Sequence, residues 1–212
     1  MTRRKTLRLV NAPDAENVES TPDEESDGRR QRSERSRELI VEAFFALIRA
    51  GDMAPRTAQV AQAAGVSLRT VFRHFDDMES LYRVMAERIK AEILPLVAAP
   101  FEAPDWRGRL LELVSRRART YERLLPLRVA TSVRRFQSAF LMDDYRRFVE
   151  LERKSLRVIL PEAIATDRML FPALEMATGF QAWRRLRQDQ GLSAARAEAV
   201  LRATIARLID DR

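Results

Sequence analysis

The sequence predicts an all-α protein with a small N-terminal helical domain followed by a larger helical one. Three observations support this fold class. The chain has only six glycines and no cysteine in 212 residues, and it is rich in Arg, Ala, Leu and Glu, a composition that favours helices. Apolar residues recur at helical spacing in most segments after residue 33. No segment alternates as a strand does, and no Asn-Gly hairpin occurs.

Residues 1–28 are predicted to form a disordered tail, because they are polar, acidic in "PDAENVESTPDEESDG" and free of apolar periodicity. The opening residues are basic but lack the apolar run of a signal peptide. No stretch approaches the roughly 20 apolar residues that cross a bilayer. The absence of cysteine excludes a disulfide framework and suits a reducing compartment. We therefore expect a cytoplasmic protein with no membrane partner.

The first clear helix lies in "SERSRELIVEAFFALIRAG", where Ser33 is a suitable N-cap and Gly51 marks the stop. Six residues form an i, i+3, i+4 stripe that predicts the buried side of this helix. They are Leu39, Ile40, Ala43, Phe44, Leu47 and Ile48.

Two short helices follow, in "TAQVAQAAG" and "SLRTVFRHF". Gly65 suits the left-handed turn that ends the first, and Ser67 is a good N-cap for the second. Two short helices joined in this way predict a helix-turn-helix, whose second helix enters the major groove. The DNA-binding domain then spans residues 29–80. The same pattern also fits a generic turn between two packed helices that binds no DNA.

The segment from Met53 to Phe75 contains no acidic residue, although the average density of 31 Asp and Glu in 212 residues predicts about three. A surface that must lie against a polyanion explains this better than chance does. On the second helix, Arg69 or Arg73 can bond guanine O6 and N7. Thr70 can meet a base edge or a phosphate, and Leu68 can touch a thymine methyl. The backbone amide of Ser67 suits a phosphate.

A longer helix is predicted near "DDMESLYRVMAERIKAEIL", with Asp76 or Asp77 at its cap. Pro95, Pro100 and Pro104 are expected to interrupt helical structure between residues 94 and 105. The later segments again repeat apolar residues at helical spacing. Residues 81–212 are therefore predicted to form the second, helical domain.

The run from Leu39 to Leu81 resembles the DNA-binding domain of the TetR family of bacterial repressors. The matching positions hold fixed spacing over about 40 residues, which makes the signal stronger than a lone short motif. They are Gly51; Val60, Ala61, Ala64, Gly65, Val66 and Ser67; Thr70, Val71, Phe72, His74 and Phe75; and Leu81 and Tyr82.

Two positions depart from the family pattern. Phe72 stands where the family commonly has a phosphate-bonding Tyr, and Met78 stands where it commonly has Lys. Arg56 and Thr57 are candidates to compensate, together with a basic cluster that otherwise fits a solvated charge run. This cluster comprises Arg29, Arg30, Arg32, Arg35 and Arg37.

His74 is the only histidine, and it resembles the phosphate-contacting His of the family; a helix-packing role without a ligand is the alternative. With one His and no Cys, the sequence has no residues for a His-dependent triad or a histidine metal cage. We therefore predict no catalytic residue, no metal and no cofactor.

For the second domain, the resemblance is limited to helix count and the last two helices. It implies a small-molecule effector pocket inside the bundle and a homodimer formed by those helices. Candidates for the pocket are Met85, Ile89, Leu110, Val114, Tyr121, Phe136, Phe140 and Phe148. Candidates for the dimer interface are Ala173, Ala177, Phe180, Trp183, Leu201 and Ile205. Plain core packing is the alternative for both sets.

These observations favour a dimeric transcriptional repressor that binds double-stranded DNA at an inverted-repeat operator and is released by a small molecule of unknown identity. A helical ligand-binding or adaptor protein with a degenerate helix-turn-helix is the alternative. A cytosolic enzyme has no supporting constellation of residues.

Overall fold

A computed structural model describes the backbone of residues 22–210 and the side chains of residues 27–132 and 134–210. Within these residues the chain is helical and has no strand, so the predicted all-α class is confirmed. The helices are α1 Pro22–Arg49, α2 Thr57–Ala63, α3 Leu68–His74, α4 Met78–Ala98, α5 Trp106–Arg134, α6 Ala139–Ile159, α7 Glu162–Ala165, α8 Leu170–Thr178, α9 Phe180–Arg184 and α10 Ala194–Asp210. A π-helical turn at Arg185–Asp189 lies between α9 and α10.

Helix α1 begins at Pro22, eleven residues before the predicted cap at Ser33. Residues 22–28, which were assigned to the tail, therefore belong to a helix; residues 1–21 lie outside the described residues. Side-chain pairs four residues apart support this exposed part, with Gln31 Nε2 donating to Asp27 Oδ2 (2.9 Å) and Arg30 bonding Glu34 (3.3 Å). Apolar periodicity misses residues 27–32 because none of these side chains is an apolar one packed against the core.

The end of α1 follows the prediction. The helix ends at Arg49, and Gly51 has a φ of 98°. This left-handed conformation favours glycine because it has no Cβ. The N–H groups of Gly51 and Asp52 donate to Ile48 O and Leu47 O, which closes the last turn.

The buried side of α1 holds the first domain together. Ile40, Ala43, Phe44 and Ile48 of the predicted stripe are buried, whereas Leu39 is 48% exposed. Val41 and Phe45 are buried as well, so the buried surface is wider than a single stripe. Residues of α2, α3 and α4 complete this core: Val60, Val71, Phe75, Leu81 and Tyr82. The rings of Phe44 and Tyr82 meet edge to face at 5.0 Å.

Proline does not end the long helices where the sequence suggested. Helix α4 continues through Pro95, which was expected to interrupt it, to Ala98. Helix α5 also contains a proline, Pro126, for which no interruption was predicted, and continues to Arg134. Only Pro100 and Pro104 lie in the connection between these helices. Proline inside a helix removes one backbone hydrogen bond, and the tertiary contacts of these two helices offset that loss.

Helix α5 is the centre of the second domain and contacts α1, α4, α6, α9 and α10. The link to the first domain runs through α4, where Arg88 bonds the carboxylates of Glu38 and Glu42 on α1. In residues 22–210, no helix has the length and apolar character to cross a membrane.

Candidate DNA-binding interface

The turn between α2 and α3 is formed by a glycine in the left-handed conformation and by a serine N-cap. Gly65 has a φ of 65°, which an L side chain rarely adopts. The N–H of Gly65 donates to Gln62 O (3.2 Å) and that of Val66 to Ala61 O (3.0 Å), which closes α2. Ser67 then caps α3, because its Oγ accepts the N–H of Thr70 at 3.1 Å. These interactions fix the direction in which α3 leaves the turn.

Helix α3 has one buried side and one open side. Val71 is buried against α1 and α2, and Phe75, the residue after the helix, is 4% exposed. The open side presents the exposed side chains of Leu68, Arg69, Phe72 and Arg73. Thr70 and His74 lie at the edge and are half-buried.

Phe72 is an aromatic ring in water. It is 53% exposed, whereas Phe75, the residue after the helix, is 4% exposed. The family's tyrosine hydroxyl is absent here, so this side chain offers an apolar face instead of a hydrogen bond. The second departure, Met78, is the first residue of α4 and is partly buried against the core. It serves packing rather than the surface.

The surroundings of His74 disfavour its protonated form. Burial lowers its pKa below the ordinary value of 6.5, and the positive charges of Arg73 and Arg37 lower this pKa further. Nη2 of Arg73 lies 3.4 Å from Nε2 of His74. Arg37, which comes from α1, also lies over the Phe75 ring at 5.3 Å. The first and third helices therefore place two arginines around this imidazole.

Helix α2 begins beside the same surface. The backbone N–H of Arg56 donates to Gln59 Oε1 (2.8 Å), and Gln59 Nε2 donates to Asp52 Oδ2 (3.1 Å). Arg56 is exposed and Thr57 is half-buried. The carboxylate of Asp52 is thus engaged within the chain, where it also accepts the N–H of Ala54 (3.0 Å).

The carboxylate of Asp77, which lies between α3 and α4, is also hydrogen-bonded within the chain. Asp77 caps α4 by accepting the N–H and the hydroxyl of Ser80, each at 2.8 Å. These hydrogen bonds lower the pKa of Asp77. Asp76, which directly follows the acid-free segment, is exposed, whereas the carboxylates of Asp52 and Asp77 are engaged in hydrogen bonds near the starts of α2 and α4.

The basic cluster is spread around α1 and does not form a single face. Arg30 and Arg37 are seven residues apart, so they lie on the same side of the helix. Arg35 lies on a different side, and Arg30 is bonded to Glu34. Because the charge of Arg37 lowers the pKa of His74, the side of α1 that carries Arg30 and Arg37 is the one nearer to the end of α3.

Two solved structures share this architecture. A transcriptional regulator from Rhodococcus sp. Rha1 superimposes with a TM-score of 0.62 at 18% identity, covering 84% of this chain and 96% of that chain. A candidate TetR-family transcriptional regulator from Mesorhizobium loti gives a TM-score of 0.54 at 19% identity, covering 85% and 98%. The chain has the fold of TetR-type regulators. No protein-family model and no curated protein matches it.

In this TetR-type fold, the effector candidates do not form one pocket. Met85, Ile89, Leu110, Val114 and Tyr121 are buried in the core, Phe140 and Phe148 are half-buried, and Phe136 is 72% exposed. Of the eight, only Phe148 lines the small cavity between α5, α6 and α9. We call this cavity the chamber. Its volume of about 30 Å³ holds about two waters.

Charged residues that sequence reasoning missed line the chamber, namely Arg128, Arg135 and Glu152. Their spacing was an available signal, because residues 128 and 135 lie seven apart and the N–H of Arg135, the residue after α5, still donates to Thr131 O as in a helix. Next to them, the rings of Tyr121, Phe148 and Phe180 meet edge to face at 5.5 to 6.3 Å.

The carboxylate of Glu152 accepts hydrogen bonds from two buried residues. Its Oε1 accepts the hydroxyl of Tyr121 and the N–H of Phe180, the latter at 2.9 Å. Burial raises the pKa of this carboxyl above its ordinary value, and the hydrogen bond from Tyr121 and the charge of Arg117 oppose that shift. Arg117 itself is buried and donates to Thr178 O at 3.0 Å.

The predicted dimer residues lie mostly inside the chain. Ala177, Phe180, Trp183, Leu201 and Ile205 are at most 8% exposed, and Ala173 is half-buried. The indole N–H of Trp183 donates to Glu122 Oε1 on α5 (2.9 Å), which explains its burial within the protomer. The exposed apolar residues of this region are instead Met169, just before α8, Met176 and Val200.

Proposed function

We propose that the chain is a sequence-specific DNA-binding transcriptional regulator, a homodimeric repressor that a small molecule releases from its operator. One observation carries the proposal. The open side of α3 presents Leu68, Arg69, Phe72 and Arg73, with no carboxylate between Met53 and Phe75. Such a surface fits a polyanion, and α3 stands where a recognition helix does.

The base contacts are proposed for the middle of this side. Arg69 and Arg73 have the fork of donors that pairs with guanine O6 and N7. Leu68 is 45% exposed and apolar, which suits a thymine methyl. Phe72, at 53% exposed, suits the same kind of apolar contact and not the phosphate contact of a tyrosine.

The phosphate contacts are proposed for the rim. Arg56 and Thr57 at the start of α2 and Ser67 and Thr70 at the start of α3 lie at the surface. His74 completes the set from the end of α3. A phosphate beside its imidazole would favour the protonated form and so oppose the lowering of its pKa by burial.

A second copy is proposed to cover the exposed apolar residues at the end of the chain. Met169 is 80% exposed, Met176 74% and Val200 38%. Apolar side chains this exposed suit an interface. A two-fold dimer presents two recognition helices, so the operator is expected to be an inverted repeat with half-sites about one helical turn apart.

The proposed protein is cytoplasmic and carries out no catalysis. Residues 29–80 are assigned to DNA binding and residues 81–212 to effector binding and dimerisation. In the described part of the chain, no group of three or more acidic or histidine side chains is placed to hold a metal ion. The alternative is an adaptor protein whose helix-turn-helix no longer binds DNA. Phe72 and Met78 favour this alternative because they replace two residues that commonly contact phosphate in the family.

A selected-sequence binding experiment tests the proposal. The full chain is mixed with a random double-stranded library, and bound DNA is enriched and sequenced. We expect an inverted repeat, which a gel shift then confirms with the DNA upstream of the chain's own gene. If no sequence is enriched, and binding to DNA is weak and depends only on the salt concentration, the result favours the adaptor.

A further inference from the structure

Two arginines that line the chamber between α5 and α6 have N–H groups without a hydrogen-bond acceptor. Arg128 Nε and Arg135 Nε are both buried and have no hydrogen-bond partner among the described residues. A buried N–H that lacks an acceptor is costly, because it has lost its water. Both side chains line the chamber, so their guanidinium groups are the cationic donors available to a ligand placed there.

The two guanidinium groups are held in place by stacking. Arg128 lies over the Phe148 ring at 3.9 Å and bonds Asp144 at 2.9 Å. Arg135 lies over the Tyr145 ring at 3.9 Å and makes no ion pair with any described residue. The guanidinium of Arg128 is therefore paired with a carboxylate. The guanidinium of Arg135 is held by its aromatic neighbour and is available to an anion.

The acidic wall of the chamber does not supply the missing acceptor. Glu152 lines the chamber, but its Oε1 is already committed to Tyr121 and to the Phe180 N–H. Burial raises the pKa of this carboxyl, so the wall loses its negative charge more readily than a surface carboxylate does.

The size of the chamber selects the anion. A volume of about 30 Å³ suits the two oxygens of a carboxylate and not the four of a phosphate, since it holds about two waters. Phe148 and Phe180 line the chamber as well, which suits an apolar body attached to the carboxylate. Tyr145, Val149, Glu152, Phe180 and Gln181 also line a wider groove towards α8 and α10, which gives that body space.

We propose that the chamber binds the carboxylate of an apolar monocarboxylic acid, with Arg135 and Arg128 as its donors and the body of the acid against Val149 and Phe180 in the adjoining groove. This inference rests on the proposed function only where it predicts that the acid releases the chain from its operator. Binding of the acid itself is a property of the second domain.

Calorimetry on the full chain without DNA tests the proposal. The probes are 1-naphthoate and octanoate, which separate aromatic from aliphatic bodies, with 1-naphthalenemethanol, octanol and inorganic phosphate for comparison. We expect at least one acid to bind with a submillimolar Kd and its alcohol and phosphate to bind at least about ten-fold more weakly, the equivalent of one charge-assisted hydrogen bond. Equal binding of acid and alcohol, or no binding of either acid, overturns the proposal.

Variants locate the site. Arg135→Gln should weaken binding of the acid about ten-fold or more, whereas Arg134→Gln, its neighbour over the Tyr82 ring, should leave the affinity unchanged. Circular dichroism checks that both variants fold, and the comparison of acid with alcohol in the unaltered chain does not depend on them. Unchanged affinity in a folded Arg135→Gln variant contradicts the assignment.

A gel shift with the selected operator separates this inference from the proposed function. If the acid binds and the operator complex persists, the chamber assignment stands and release by this ligand fails. If the operator is bound and neither acid binds the chain, the chamber assignment fails and the DNA-binding proposal stands.

Discussion

Ser138 joins the start of α6 to the start of α4 through Glu79. Its Oγ accepts the N–H of Leu141 (3.1 Å), which caps α6, and its hydroxyl donates to the Glu79 carboxylate. Arg83 bonds the same carboxylate at 2.5 Å and stacks on the Phe140 ring at 3.8 Å. Ser138 and Glu79 therefore connect the start of α6 to the start of α4, the helix that directly follows the candidate recognition helix α3.

Removing this link should cost stability. Ser138→Ala is expected to lower the free energy of unfolding by about 1 kcal/mol, since α6 loses its cap. Ser138→Thr should retain most of the stability, and Ser132→Ala, within α5, is the matched control. Urea denaturation measures the three differences. A Ser138→Ala variant as stable as the parent would show that the cap is not needed.

The recognition assignment predicts a loss of specific affinity. Arg69→Ala or Arg73→Ala should weaken binding to the selected operator by roughly 1–3 kcal/mol if that residue reads a guanine. Arg119→Ala, at an exposed position of α5, is the control. Titrations at matched salt check this. If both α3 variants bind like the parent, these arginines do not read bases.

The position of the basic cluster on α1 predicts unequal contributions. A deletion up to residue 32 would cut through α1, so single substitutions are the better test. Arg30→Gln should reduce the slope of log K against log salt by about 0.9 if one phosphate contact is lost, with sequence preference retained. Arg35→Gln, on another side of the helix, should change the slope less. Equal slopes for both variants and the parent would indicate a solvated cluster.

The proposed dimer predicts sensitivity at the exposed end of the molecule. Met169→Arg or Val200→Arg should shift the chain towards monomer, because a charge at the centre of an apolar interface loses its water. Val97→Arg, at a site on α4 that is 55% exposed, controls for added charge. Sedimentation at micromolar concentration reports the mass. A parent chain that is already monomeric would contradict the dimer itself.

Glu152 predicts a pH dependence of stability. Its pKa is raised in the folded chain, so the folded state binds this proton more tightly than the unfolded state does. The resulting stability is present below about pH 4.5 and is lost as the pH rises through the folded pKa. Glu152→Gln cannot titrate, so its melting temperature should rise relative to the parent between pH 4.5 and 7. Glu150→Gln is the exposed control, and a flat difference for Glu152→Gln would contradict the shift.

The helix-turn-helix was predictable because its determinants are local. Gly65 provides the left-handed turn and Ser67 the cap, and both act within four residues along the chain. The open side of α3 follows from helical periodicity once Val71 is assigned to the core. The start of α1 was missed for the opposite reason, since the described side chains before Ser33 form pairs four residues apart without apolar burial.

The sequence by itself determined the helical class, the turn between α2 and α3 and the residues that α3 exposes, because caps, glycine conformation and periodicity operate over one or two turns. Only the tertiary structure decided which apolar residues face one another. Trp183 was predicted at a dimer interface, yet its indole bonds Glu122, 61 residues away. Arg128 and Arg135 became chamber residues only when α6 and α9 packed against α5. Periodicity marks the side of a helix that leaves water, but the partner that covers it depends on contacts distant in sequence.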